Sequence, residues 1–545
     1  MGDKATRGHH AIANFHVAMQ YPRSRTATRN TLAALIFTAA LLGGCAQLPP
    51  LEPRSISVAP TQAETRDTPL GRELAPMIAV QAGKSGVYPL TDPYEAFSMR
   101  MKLVGSAQRT LDVQYYIWHR DLTGTLLFQA LRDAQARGVR VRLLLDDLNT
   151  EKLDATLAAL DDLPGIEVRL FNPLVYRSLR WRNYLFDFHR INRRMHNKSI
   201  TADNQLSIVG GRNIGDEYFG ATHGVLFSDL DVLAAGPIVG EISADFDRYW
   251  ASASSYPAKR LLAQPPRDEL DTLSRDARAM EKAMRAAQMP PAEPAHAWAG
   301  DELASLARRF EWTTVHLVSD DPGKGQGAVP ANRLLTSQLD RILGTPKESV
   351  YLVSAYLVPT SSGVKAFENM VRRGVHVEIL TNSLDATDVA AVHAGYARRR
   401  SALLRAGVRL YELKRTAPGP ALIPQNRTRF RLFSHSGSSL HAKTFAVDGR
   451  RVFVGSFNFD PRSARLNTEL GVIIDSPALA RQIAEAFRQQ IPQQAYEVRL
   501  TPGGHLYWLE RKGESSVRHD TEPETTAIQR LLVDFIAVFP IEWLL

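Results

Sequence analysis

The sequence predicts an α/β protein built from two copies of one unit that share a single site. Three observations carry this expectation. A β-α-β pattern occurs twice, a four-residue polar register recurs once in each copy, and 545 residues exceed what one hydrophobic core usually serves.

The first copy opens with Leu111–Trp118, a run rich in aromatic and β-branched residues that reads as a strand, after helical spacing from Ala96 to Val104. Gly124 to Arg137 has the period of an amphipathic helix closed by Gly138, and Val139–Leu145 reads as the next strand. The order returns later as the strand Val350–Tyr356, the helix Gly363 to Arg373 ending at Gly374, and the strand Val375–Leu380. Arg137-Gly138-Val139-Arg140-Val141 matches Arg373-Gly374-Val375-His376-Val377, so a whole α/β unit is duplicated.

Each copy then presents the same polar set. His196, Lys198, Asp203 and Asn213 stand at the spacing shared by His441, Lys443, Asp448 and Asn458. On a strand, residues i and i+2 face the same way, so each His-x-Lys pair presents an imidazole and an ammonium together. The Gly-rich loops Gly210-Gly211-Arg212-Asn213 and Gly455-Ser456-Phe457-Asn458 bring backbone and an amide close to that face. One His-x-Lys is almost no signal; two in register inside a duplicated fold point to a built site.

These residue types suit a phosphodiester. A neutral imidazole can attack phosphorus while a protonated one opposite hands a proton to the departing alkoxide. Lys198, Lys443, Asn213 and Asn458, with the Ser456 hydroxyl, would hold the non-bridging oxygens. No metal or other cofactor is expected, since neither repeat offers the carboxylate or histidine spacing of a zinc or two-metal site. A nucleophilic imidazole needs an acceptor on its other nitrogen. Glu469 is the candidate for His441, and Asp229 is its counterpart for His196. Asp203 and Asp448 complete the motifs and occupy turn positions suited to bracing the hairpins.

Outside the repeats, Leu32–Leu42 is an uncharged apolar run preceded by Arg23, Arg25 and Arg29, too short to span a bilayer and fitting a signal-peptide core. It ends in Leu42-Gly43-Gly44-Cys45, resembling a bacterial lipoprotein signal with Cys45 as the lipidated residue; Met19 is a candidate start. By analogy with lipoprotein sorting, Ala46 favours the outer membrane of a Gram-negative envelope, on its periplasmic side. The expected organisation is a signal peptide over 1–45, an extended tether over 46–90 and a first lobe over 91–250. A connector or helical insertion over 251–312, a second lobe over 313–495 and a C-terminal extension with an amphipathic segment over 496–545 follow. The formal net charge of +9 favours anionic partners without choosing between nucleic acid and lipid.

The paired motifs His196-Asn-Lys198-Ser-Ile-Thr-Ala-Asp203 and His441-Ala-Lys443-Thr-Phe-Ala-Val-Asp448 resemble the phospholipase D superfamily over about residues 90–500. Longer stretches, including Arg193–Ser199, Val209–Gly215, Gly455–Ser463 and Glu542–Leu545, are similar to bacterial cardiolipin synthases of the C type. The resemblance implies two homologous α/β/α lobes forming a pseudo-dimer with one cleft, and a covalent phosphatidyl-histidine intermediate. It also implies His196 as nucleophile and His441 as acid. Gly211, where the second motif has Ser456, leaves the first half-site without that hydroxyl. Expected partners are phosphatidylglycerol, phosphatidylethanolamine, cardiolipin and a membrane surface, with no nucleic acid, and the expected state is a monomer with an internal pseudo-twofold. A hydrolase releasing phosphatidic acid is the alternative, since acceptor access alone separates it from a phosphatidyltransferase. A nuclease is disfavoured, because bacterial nucleases of the superfamily tend to be short one-motif chains. A non-catalytic lipid binder is disfavoured because no motif residue is lost.

Overall fold

Two mixed sheets organise the protein. The computed structural model describes residues 47–221, 226–286, 297–298, 301–327, 329–415, 438–539 and 542, and Pro49–Leu545 form one compact unit. In the first sheet, Thr110–Tyr115, Arg140–Asp146 and Ile166–Phe171 run parallel. Ser199–Ala202 and Leu206–Gly210 continue it as an antiparallel hairpin beside Thr110–Tyr115. The second sheet repeats this plan. Ser349–Ser354, His376–Asn382 and Arg409–Leu413 are parallel, and the hairpin Lys443–Val447 with Arg451–Gly455 runs antiparallel beside Ser349–Ser354. The duplicated α/β expectation is therefore met strand for strand.

The lobes meet through one apolar core. Val209, Val232 and Ile238 of the first lobe pack with Val452, Leu470 and Val472 of the second. Each fully buried aliphatic side chain contributes about 1.5–3 kcal/mol, so the interface resembles the interior of a domain. A separate core on the outer face of the first sheet takes in Phe97, Leu127 and Leu131 from the helices Pro93–Ser106 and Leu122–Ala136.

Three expected boundaries shift. Within the expected tether over 46–90, Pro69–Val80 is a helix, capped by Thr68 and started by Pro69, and Ser85–Leu90 is a strand paired with Asp231–Ala235. Leu70 and Leu74 are fully buried, which outweighs the polar composition around them. The Pro-rich stretch before them lies along the first lobe, where Arg142 donates to the Ser57 carbonyl and Arg169 to that of Ser55. In the expected connector, the helix Glu269–Ala286 belongs to the first lobe, because Leu273, Ala277 and Met284 enter its core. Beyond residue 495, Ala495–Leu500, Leu506–Lys512 and Ser515–His519 extend the second sheet by three antiparallel strands.

Candidate active site

Both histidines stand just before the first strand of their hairpin, at the edge where the parallel strands end. Each is also held by the opposite lobe. The His196 N–H donates to the Thr468 carbonyl at 2.8 Å, and the Thr468 N–H returns a bond to the Arg194 carbonyl. The His441 N–H donates to the Ser228 carbonyl at 2.8 Å, and Ser438–Leu440 pairs in parallel with Leu226–Ser228. Asp146 steadies the approach to His196 through Arg194 and the Met195 N–H.

This exchange crosses the carboxylates and corrects the expected pairing. His196 Nδ1 lies 2.8 Å from Glu469 Oε2, and His441 Nδ1 lies 2.5 Å from Asp229 Oδ2. The expected partners were the reverse. The physical reason is the inter-lobe backbone pairing: Thr468 and Ser228 sit on the opposite lobe's histidine peptide, so the next residue, Glu469 or Asp229, reaches that ring.

Lys198 Nζ donates to the His196 carbonyl at 2.5 Å, and Lys443 donates to the His441 carbonyl. Both ammonium groups are buried. Tyr116 packs edge-on against His196, with ring centroids 4.9 Å apart, and Lys198 Nζ lies 5.3 Å from the same ring. Tyr218 packs edge-on against His441 at 5.1 Å, and Tyr356 lies beneath Lys443. Asn213 spans the Ile117 N–H and the Tyr218 hydroxyl, whereas the buried Asn458 Oδ1 has no hydrogen-bond partner among the described residues.

Three motif residues do other work. Asp203 accepts the N–H groups of Gln108, Arg109 and Thr110, and Asp448 those of Lys347, Glu348 and Ser349. Both aspartates brace the far end of their hairpins and contact neither imidazole, so they belong to the motifs as braces and not as groups that touch the reacting atoms. Ser456 donates to Glu469 Oε2 and accepts the Leu470 N–H, so its hydroxyl positions the carboxyl and is not free for phosphate. At Gly211 an added Cβ would stand 2.1 Å from Asp229 Oδ1. Glycine is required there because the shorter acid folds back over it.

Burial lowers the basicity of His196 strongly, reinforced by Lys198, Lys443 and His441. Burial also lowers His441, helped by Lys443 and opposed by Asp229. Lys198 falls well below its ordinary value through burial, and burial brings Lys443 to about 8. Burial opposes ionisation of both acids. It raises Glu469 to about 7, whereas His441, Lys443 and Arg212 overcome it at Asp229 and hold that carboxyl below the usual carboxylate range. Near neutrality the site thus holds two neutral imidazoles, one firm carboxylate and two desolvated lysines. An arriving phosphodiester anion supplies a countercharge that favours the protonated form of both lysines.

Tyr116, Tyr218 and Tyr356 were missed in the sequence. Trp118 bridges Ile214 as Leu357 bridges Phe459, which makes Tyr116 equivalent to Ala355 and Ile117 to Tyr356. The two tyrosines are one register position apart, so comparing the copies does not align them. Tyr218, in the short helix Asp216–Phe219, stands where the second copy has Ser463, so comparing the copies gives no sign of it. Cys45 lies outside the described residues.

Residues 101–250 and 339–491 match the family model described as cardiolipin synthase, phospholipase D-like domain. The chain is 46% identical over 476 residues to Cardiolipin synthase C of Escherichia coli, covering 87% of this chain and 99% of that protein. Cardiolipin synthase A of Pseudomonas entomophila is 25% identical over 427 residues, 78% of this chain and 72% of the relative. Among solved structures, the phosphatidylserine synthase of Haemophilus influenzae superposes with a TM-score of 0.56 at 14% identity, over 87% of this chain and all of that one, a likeness of fold. With the paired motifs in one inter-lobe site and both lobes matched, the chain belongs to the cardiolipin synthase family of phospholipase D-like enzymes.

Proposed function

We propose that the protein is a phosphatidyltransferase that makes cardiolipin from phosphatidylglycerol and a second phospholipid, with phosphatidylethanolamine as the expected phosphatidyl donor. The observation that carries this reading is the crossed pair: two imidazoles in one buried site, each oriented by the other lobe's carboxyl group. Identity of 46% to Cardiolipin synthase C, across nearly all of that relative, supports the substrate class.

In this reading His196 Nε2 attacks the donor phosphorus while its Nδ1 is held by Glu469. Binding of the phosphodiester anion beside Asp229 raises the proton affinity of His441, which takes up a proton from solvent; the P–O bond to the head group then breaks, and His441 delivers that proton to the departing oxygen. His441, neutral again, then takes the proton from the acceptor's glycerol hydroxyl, whose oxygen displaces His196 from phosphorus. The assignment follows the electrostatics. His196 is the ring most strongly kept neutral, and Asp229 is the firm carboxylate that supports a proton on His441. Lys198, Lys443 and Asn458 hold the non-bridging oxygens.

We further read Cys45 as a lipidation site that tethers the enzyme to a membrane, supported by the apolar run and small residues before it. No helix among the described residues is long and apolar enough to cross a membrane.

The test is incubation of purified protein with labelled phosphatidylglycerol, with and without phosphatidylethanolamine. Cardiolipin is the expected product. Phosphatidic acid alone would replace the synthase with a hydrolase, and cleaved DNA with untouched lipid would overturn both. His196→Ala and His441→Ala should each lower turnover by at least about a thousandfold.

A further inference from the structure

Between the strand Ile166–Phe171 and His196, residues 172–193 leave the first lobe and return. The feet of this excursion are fastened. Asn172 Nδ2 donates to the carbonyls of Arg190 and Arg193, and Arg177 joins Asp147 to Asp154. Its tip carries the helix Trp181–Phe186 and is apolar in solvent. Trp181 is 60% exposed, Tyr184 48%, Leu185 67% and Phe186 56%. Clustered exposure of this kind marks an interaction surface.

The excursion rises at the rim of the cleft. It leaves the carboxyl end of a strand parallel to Thr110–Tyr115, and Ser199–Ala202 runs antiparallel to that strand, so Lys198 and His196 lie along the same edge. The second lobe places a similar surface on its corresponding edge. The helix Ala527–Val538 packs through Val533 against Leu384 and Ala394, and Leu384 lies two residues beyond the strand His376–Asn382. Its outer face leaves Ile528, Leu531, Phe535 and Val538 between 63% and 78% exposed.

We propose that the tip of 172–193 and the outer face of Ala527–Val538 are interfacial contacts that seat the mouth of the cleft on an anionic phospholipid bilayer. Trp, Tyr, Phe and Leu interleaved with arginine is the composition that rests at headgroup depth. The Arg182 guanidinium lies 4.5 Å from the Tyr176 ring centroid and 5.8 Å from that of Phe186, placing a cation among the rings. Asp187 is engaged by Arg190, so the tip is left positive. A second copy of the chain would bring like charge to the patch, whereas lipid phosphates bring the opposite sign. The proposal rests on the phospholipid reading only for why the cleft faces a bilayer.

The test uses the full chain with Cys45→Ser, which removes the only cysteine and any acyl group on it. Leu185→Cys then carries an environment-sensitive dye, and Arg450→Cys, in the hairpin turn at the end away from His441, carries the control. With vesicles of phosphatidylglycerol and phosphatidylcholine, the dye at 185 should shift to the blue and be quenched by lipids bearing a shallow nitroxide. The dye at 450 should not respond, and pure phosphatidylcholine should give a weaker response at 185. No response at 185, or equal responses at both positions, overturns the proposal. In the unlabelled chain, Trp181→Ser/Leu185→Ser should lower turnover on vesicles of phosphatidylglycerol and phosphatidylethanolamine by about tenfold or more, the scale of removing large side chains from the interface. Turnover of monomeric short-chain phosphatidylglycerol with short-chain phosphatidylethanolamine should stay within about twofold. Equal loss on both substrates overturns the docking role. Absence of turnover on either lipid by the unsubstituted chain would defeat the phospholipid reading, while the dye would still decide docking. A solution dimer that the double substitution dissociates would assign the patch to a second copy and also overturn the proposal.

Discussion

At the scale of single residues, the two acids that hold the imidazoles differ by one methylene, and the residue beneath each differs to match. Asp229 folds over Gly211, while the longer Glu469 receives the Ser456 hydroxyl. Crossed pairing gives a spectroscopic prediction. In histidine-labelled protein, Glu469→Gln should move the NMR titration of His196 and leave His441 nearly unchanged, and Asp229→Asn should do the reverse. Same-lobe coupling in both variants would show the pairing to be wrong. Glu469 also links stability to pH. Its carboxyl is raised from 4.5 to about 7 by burial, so the folded protein keeps a proton that the unfolded chain releases in that window. This stabilising contribution is full below about pH 4.5 and is lost as pH rises through 7, a swing of about 3 kcal/mol. Glu469→Gln should therefore gain on the parent protein in denaturant titrations as pH is raised from 5 to 8. The acids themselves were legible in the sequence as candidate carboxyl groups after each motif. Their partners were not, because a duplicated register says which residues are equivalent and nothing about which lobe each one faces.

At the scale of elements, the conserved geometry of the hairpins depends on a turn aspartate in the left-handed region. Asp203 has φ +52° and gathers three N–H groups at the start of Thr110–Tyr115. Asp203→Ala should cost about 3 kcal/mol in denaturant unfolding, and Asp203→Asn, which keeps an acceptor and tolerates that backbone, about 1 kcal/mol. Turnover by the fraction that folds should keep its pH profile, as befits a brace. The central strands and helices of both copies were readable because their periodicity agrees with their burial. The helix Pro69–Val80 was hidden by the Pro- and Thr-rich stretch before it, although Thr68 and Pro69 are a proper start signal. The three C-terminal strands were hidden for another reason. The first lobe has only the short strand Ser255–Pro257 in the place of Ala495–Leu500 and nothing, among the described residues, in the place of the other two, so the repeat offered little guide.

At the scale of the molecule, the lobes are joined by a shared core and by carboxyl groups that serve across the interface. One chain therefore supplies a complete site. Equimolar mixing of the His196→Ala and His441→Ala proteins should restore no turnover above that of either alone. Recovery towards a quarter of the parent rate, the share of sites that random exchange would leave with both histidines, would mean that lobes exchange between chains. The crossing also constrains how such a gene can change. Gly211 and Asp229 are matched to the ring of the other half, as are Ser456 and Glu469, so the halves are no longer interchangeable parts. Recombination that exchanges a whole half between relatives would transmit a histidine without the acid that fits it. Drift in one half must be answered in the other, and the ancient repeat is inherited as a single unit.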